Sequence, residues 1–63
     1  MKNRLAEVRI RKGWSEAQLA RKAGVSKSTI CAIENGVTKN PSIYVAYKLC
    51  KALKTDVWEI FYE

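Results

Sequence analysis

Four breakers, Gly13, Gly24, Gly36 and Pro41, divide the chain into short segments, and none falls inside a periodic run. Regular structure therefore has to start and stop between them. Within these windows the apolar spacing is helical. Leu5 and Val8, with Arg9 and Lys12 completing the turn, give a first helix that Gly13 ends. Ser15-Glu16-Ala17-Gln18 is a capping box, with Ser15 at the N-cap and Gln18 at the third helical position. It opens a second short helix carrying Leu19, Ala20 and Ala23, closed by Gly24. Ser26 caps a third, with Ile30 and Ile33 on one face, and Asn35-Gly36 stops it. An Asn-Gly pair also turns β-hairpins, but its flanks lack the alternation of strands, so a hairpin is rejected.

Asn40-Pro41 imposes an extended connector before Ser42, the next cap. The fourth helix then carries an apolar stripe of Ile43, Ala46, Leu49, Cys50 and Leu53. Asp56-Val57-Trp58-Glu59 reads as a second capping box, with Asp56 capping and Glu59 reaching back. It opens a last helix running through Ile60 and Phe61, with Val57, Ile60 and Phe61 able to face the core. The expectation is an all-α fold, a compact bundle of five short helices with tight connections.

At 63 residues and 48% apolar composition, the chain is globular and is expected to form one domain over residues 1–63. It contains no His, two Cys and six acidic residues. A zinc site, a Ser-His-Asp triad or a Cys-His pair cannot be assembled from that set, so no enzyme, metal or cofactor is expected. Cys31 and Cys50 read as reduced packing residues rather than a disulfide framework. No apolar run approaches the length of a membrane span, and the N-terminal MKNRLAEVRIRKG lacks a signal-peptide core. The expected location is the cytoplasm, with no membrane partner. Without a second domain, no small-molecule effector is expected.

The charge is unevenly placed. Lys and Arg number 12 against 6 for Asp and Glu, a net +6. Residues 1–54 hold every cation and only Glu7, Glu16 and Glu34, for +9, whereas residues 55–63 hold Asp56, Glu59 and Glu63, for −3. A basic body with an acidic end points to a polyanionic partner.

The informative unit is SEAQLARKAGVSKSTICAIENG, residues 15–36. Two short helices share the joint Gly24-Val25-Ser26, where glycine permits a sharp turn and Val25 can plug the core. Leu19, Ala20, Val25, Ile30 and Ile33 account for the buried positions, and Ala20 must be small where the helices cross. Lys27, Ser28, Cys31 and Ala32 remain outward on the third helix.

These residues resemble the Xre/Cro-type family of lambda-repressor-like helix-turn-helix regulators. The likeness runs through L-x-x-x-R (Leu5 to Arg9), K-G (Lys12, Gly13), S-x-x-x-L-A (Ser15, Leu19, Ala20), G-V-S (24–26) and S-T-I (28–30). It continues through I-E-N-G (33–36), N-P-S (40–42), the A-x-K-L-x-x-A-L frame (46–53) and E-I-F (59–61). The resemblance implies a sequence-specific duplex-DNA-binding transcriptional regulator, a repressor acting as a homodimer on a palindromic operator, with its helix-turn-helix at about 16–35.

Carried onto this chain, the resemblance implies that the start of the third helix enters the major groove. Lys27 and Ser28 would face base edges, with Ala32 one turn further on. Their chemistry fits, since Lys donates to guanine and Ser reads either base type. Ser26 would cap that helix near the DNA backbone. Further backbone contacts are expected from Ser15, Asn35, Lys39, Asn40 and the amide of Ile43, because helix N-termini attract phosphate. Glu16 departs from the Gln usual in the family and repels phosphate, which weakens the contact near Ser15. Arg9 and Glu34 match a family ion pair that fixes the reading helix and turns Arg9 toward the DNA backbone.

Trp14 occupies a usual Leu position and is expected in the core. Tyr44 and Tyr47, with Lys48 and Lys51, form a second stripe on the fourth helix. Trp58 and Tyr62, four apart on the fifth helix, are expected to face away from the core and build the dimer interface. The alternative from another class is an antitoxin-like interaction module that masks a partner protein.

Overall fold

In the computed structural model, which describes residues 2–63, each of the three glycine breaks follows the end of a helix and Pro41 lies in the connector before the next one. In chain order the elements are β1 (Lys2–Asn3), α1 (Leu5–Arg11), α2 (Glu16–Ala23), α3 (Lys27–Glu34), α4 (Ile43–Leu53), α5 (Val57–Ile60) and β2 (Phe61–Tyr62). Three serines start helices by the same means. The Oγ atoms of Ser15, Ser26 and Ser42 accept from the amides of Gln18, Thr29 and Val45 at 3.1, 3.1 and 3.2 Å. At α2 the box is reciprocal, because the Ser15 amide donates to Gln18 Oε1 at 2.7 Å.

The five helices and β2 enclose one core. Leu5, Leu19, Ile30, Ile33, Leu49, Leu53 and Ile60 are fully buried, with Val8, Ala20, Ala23 and Phe61 close behind. No polar or charged residue is buried among the described residues. Trp14 and Val25 pack against this core while partly exposed. No helix among the described residues is long and apolar enough to cross a membrane.

Four local expectations change. Ile43 was assigned to the buried stripe of the fourth helix but is 85% exposed. The face of α4 that meets the core runs through Val45, Leu49 and Leu53, with Ala46 and Cys50 on its flank. Both stripes have helical spacing, so periodicity alone could not choose between them. Asp56 precedes α5 without making a side-chain cap, and Val57 lies largely outside the core. Phe61 leaves the helix and becomes extended, with φ −110° and ψ 132°.

The cause of that last change is an antiparallel ladder between the two ends of the chain. Lys2 stands opposite Tyr62 and Asn3 opposite Phe61, and the Arg4 amide donates to the Ile60 carbonyl at 2.7 Å. A pairing of two residues per strand has no alternating pattern to betray it. It nevertheless satisfies backbone groups that a four-residue helix leaves open.

Candidate nucleic-acid interface

The joint between α2 and α3 is closed by two hydrogen bonds to a single acceptor. The amides of Gly24 and Val25 donate to the Ala20 carbonyl at 2.9 and 3.0 Å. Gly24 adopts φ +74°, a left-handed conformation that side chains rarely take. Val25 folds back onto the core, and Leu19, Ala20, Ile30 and Ile33 seal the contact between the helices. What α3 leaves outside is exposed at Lys27 and Ser28 and half-buried at Cys31 and Ala32. These four residues, with Asn35 and Val37, line a shallow concavity of about 460 Å³ that carries no acid.

The angle of α3 is set at its far end. Arg9 grips Glu34 with a two-pronged bond, Nε to Oε2 at 2.8 Å and Nη2 to Oε1 at 3.1 Å. Its Nη1 donates to the Trp14 carbonyl at 2.7 Å. Their side chains are only 13% and 7% exposed. The hydrogen bond to Glu34 drives the Arg9 pKa upward, outweighing the opposing effect of burial. The Arg9 guanidinium is thereby engaged by both Glu34 and Trp14, and it acts as a strut between α1 and the end of α3.

A second tether went unread in the sequence. Asn3 Nδ2 donates to the Ile33 carbonyl at 3.0 Å, and its Oδ1 accepts from the Leu5 amide at 3.1 Å. One side chain thereby starts α1 and holds the last turn of α3. The only sequence signal was an Asn shortly before a helix.

The remaining expected backbone contacts lie around α3. Asn35, Lys39, Asn40 and Ile43 are all exposed. At α2 the Ser15 hydroxyl and amide are both engaged by Gln18, so the free donors of that N-terminus are the amides of Glu16 and Ala17. The Ser26 hydroxyl is likewise engaged, accepting from the Thr29 amide and sharing a hydrogen bond of 2.8 Å with Thr29 Oγ1. The first-turn amide of Ile43 stays open, because the Ser42 cap satisfies Val45. Both cysteines are free, and burial is the main cause raising the Cys50 pKa, with Asp56 adding to it. Among the described residues no group of His, Cys, Asp or Glu could hold a metal ion.

Trp58 and Tyr62 do not share a helical face. Trp58 is 74% exposed on α5, while Tyr62 lies half-buried on β2 with the Arg4 guanidinium 4.1 Å above its ring. The exposed apolar surface that α5 does share is with α4. Ile43, Ala46, Tyr47, Cys50 and Val57 line an apolar concavity of about 270 Å³. Tyr44 and Tyr47 point outward beside Lys48 and Lys51, each ammonium 5.9 Å from a ring.

Comparison with known proteins matches this arrangement. A helix-turn-helix family model covers residues 5–57. The chain is 39% identical over 62 residues to the uncharacterized HTH-type transcriptional regulator YgzD of Bacillus subtilis, covering 98% of this chain and 92% of that protein. It is 38% identical over 60 residues to the HTH-type transcriptional regulator SinR of Bacillus licheniformis, covering 95% of this chain and 54% of SinR. A crystal structure of SinR in complex with DNA superposes with a TM-score of 0.81 at 40% identity, covering 84% of each chain. The chain belongs to the Xre/Cro-type helix-turn-helix family of transcriptional regulators.

Proposed function

We propose that residues 1–63 act in the cytoplasm as a sequence-specific duplex-DNA-binding domain, a repressor that pairs as a homodimer on a palindromic operator. The observation that carries the reading is the outer face of α3. Lys27 and Ser28 stand exposed at its first turn, no acid shares the face, and Arg9 and Asn3 brace its far end. Lys27 and Ser28 read base edges and Ala32 offers a methyl contact. Lys39, Asn35, Asn40 and the open amides at the starts of α2 and α4 hold phosphate. SinR, a relative, has been crystallised on DNA, which favours the same use of this surface here.

The homodimer is supported by the apolar concavity between α4 and α5. One short reading helix covers too few base pairs to select a site among millions of competitors, and a dyad doubles the readout. A second copy fits an apolar surface that includes exposed Ile43, Tyr47 and Val57, with Trp58 beside it. Selection of bound sites from random duplex DNA tests the whole reading. A palindrome with half-sites one helical turn apart is the expected product. Enrichment of no sequence at all would favour the masking of a partner protein instead.

A further inference from the structure

Val37 presents 78% of its surface to solvent, yet its position is fixed. Gly36 turns the chain at φ +78°, and the amides of Val37 and Thr38 both donate to the Ala32 carbonyl, at 2.9 and 3.0 Å. The β-branched side chain has few rotamers of its own. An uncovered apolar group thus stands on a backbone held in place, on the same concave face as Lys27 and Ser28. Cys31 lies on that face as well. Its Sγ accepts a hydrogen bond from Asn35 Nδ2 at 3.2 Å, which orients the sulfur along the helix. Neither side chain belongs to the buried core.

The major groove offers a single apolar group to a protein, the C5-methyl of thymine. We propose that Val37 and Cys31 form an apolar wall that reads this methyl, which makes them specificity-determining residues beyond Lys27, Ser28 and Ala32. The inference rests on the duplex-DNA reading above. Lys27 on this concavity supplies a donor for a guanine edge, and Val37 and Cys31 on the same concavity supply surface that only a methyl group complements. Desolvating one methyl against it corresponds to about a fourfold gain in affinity per half-site.

The test is a uracil scan. Each thymine of the duplex selected by the full chain is replaced in turn by uracil, which removes the methyl and leaves base pairing intact. Uracil at one position in each half-site should weaken binding about fourfold. Val37→Ala should abolish that penalty and Cys31→Ala should reduce it, with affinity for random duplex unchanged. Val37 is exposed, so matching thermal unfolding curves are expected for the first variant and show that the contact itself has been removed. A selected site without a fixed thymine, a flat scan with the unsubstituted chain, or a penalty that persists in both variants overturns the proposal. Failure to bind any duplex overturns the DNA reading itself, whereas selective binding with a flat scan overturns only the methyl contact.

Discussion

Arg9 is the cation whose removal reaches furthest from its own position. Arg9→Ala would leave the Glu34 carboxylate, 7% exposed, without its partner and the Trp14 carbonyl without its donor. The expected loss is about 2–3 kcal/mol, read as a lower urea midpoint. Arg9→Lys should recover only part of it, because an ammonium cannot make the two-pronged bond. A folded-state pKa raised above its ordinary value means that the arginine's contribution is present below that value and lost only as pH rises past it. Across neutral pH the arginine side of the pair therefore adds no slope to stability. Lys27 and Lys39, both exposed, should separate in a different assay. Lys27→Ala should cost about 1–3 kcal/mol on the selected site and flatten preference at one base pair per half-site. Lys39→Ala should weaken selected and random DNA alike, so identical mismatch profiles for the two variants would contradict the division between reading and positioning.

The element that invites a change is α4, which ends on Lys54 at φ +53°. A lysine there does what glycine does elsewhere in the chain, at a steric cost. Lys54→Gly should raise stability by about 0.5–1 kcal/mol in chemical unfolding, since relief of left-handed strain exceeds the entropy that glycine adds. This stop was not legible, because nothing in Leu53-Lys54-Thr55 resembles a terminator. The starts were legible, because Ser15, Ser26 and Ser42 carry their capping chemistry in their own side chains. The α2–α3 joint was legible for the same local reason, a glycine turn between two capped helices. The rest depended on contacts across the chain. Asn3 reaches Ile33, Phe61 pairs with Asn3, and the buried side of α4 is chosen by what packs on it. None of these leaves a periodic trace.

For the whole molecule, charge decides the first expectation. With +9 over residues 1–54, neutralising about six to ten phosphates per dimer should give a log–log salt slope of roughly −5 to −9. A slope near zero would sink the DNA reading. The second expectation concerns assembly. Tyr47→Glu or Trp58→Glu, both at exposed positions, should give a folded monomer that binds a half-site weakly and loses cooperative binding to the palindrome. Sedimentation of the unsubstituted chain as a monomer, free and on its selected DNA, would contradict the dimer. The pairing of Lys2 with Tyr62 has another consequence. It makes the fold a ring with a single nick, because first and last strands are hydrogen-bonded neighbours. A short linker across that nick, with new ends cut elsewhere in a connecting turn, would give a circular permutant with the same packing. The closure cost now offset by a single backbone ladder would then be removed by a covalent bond.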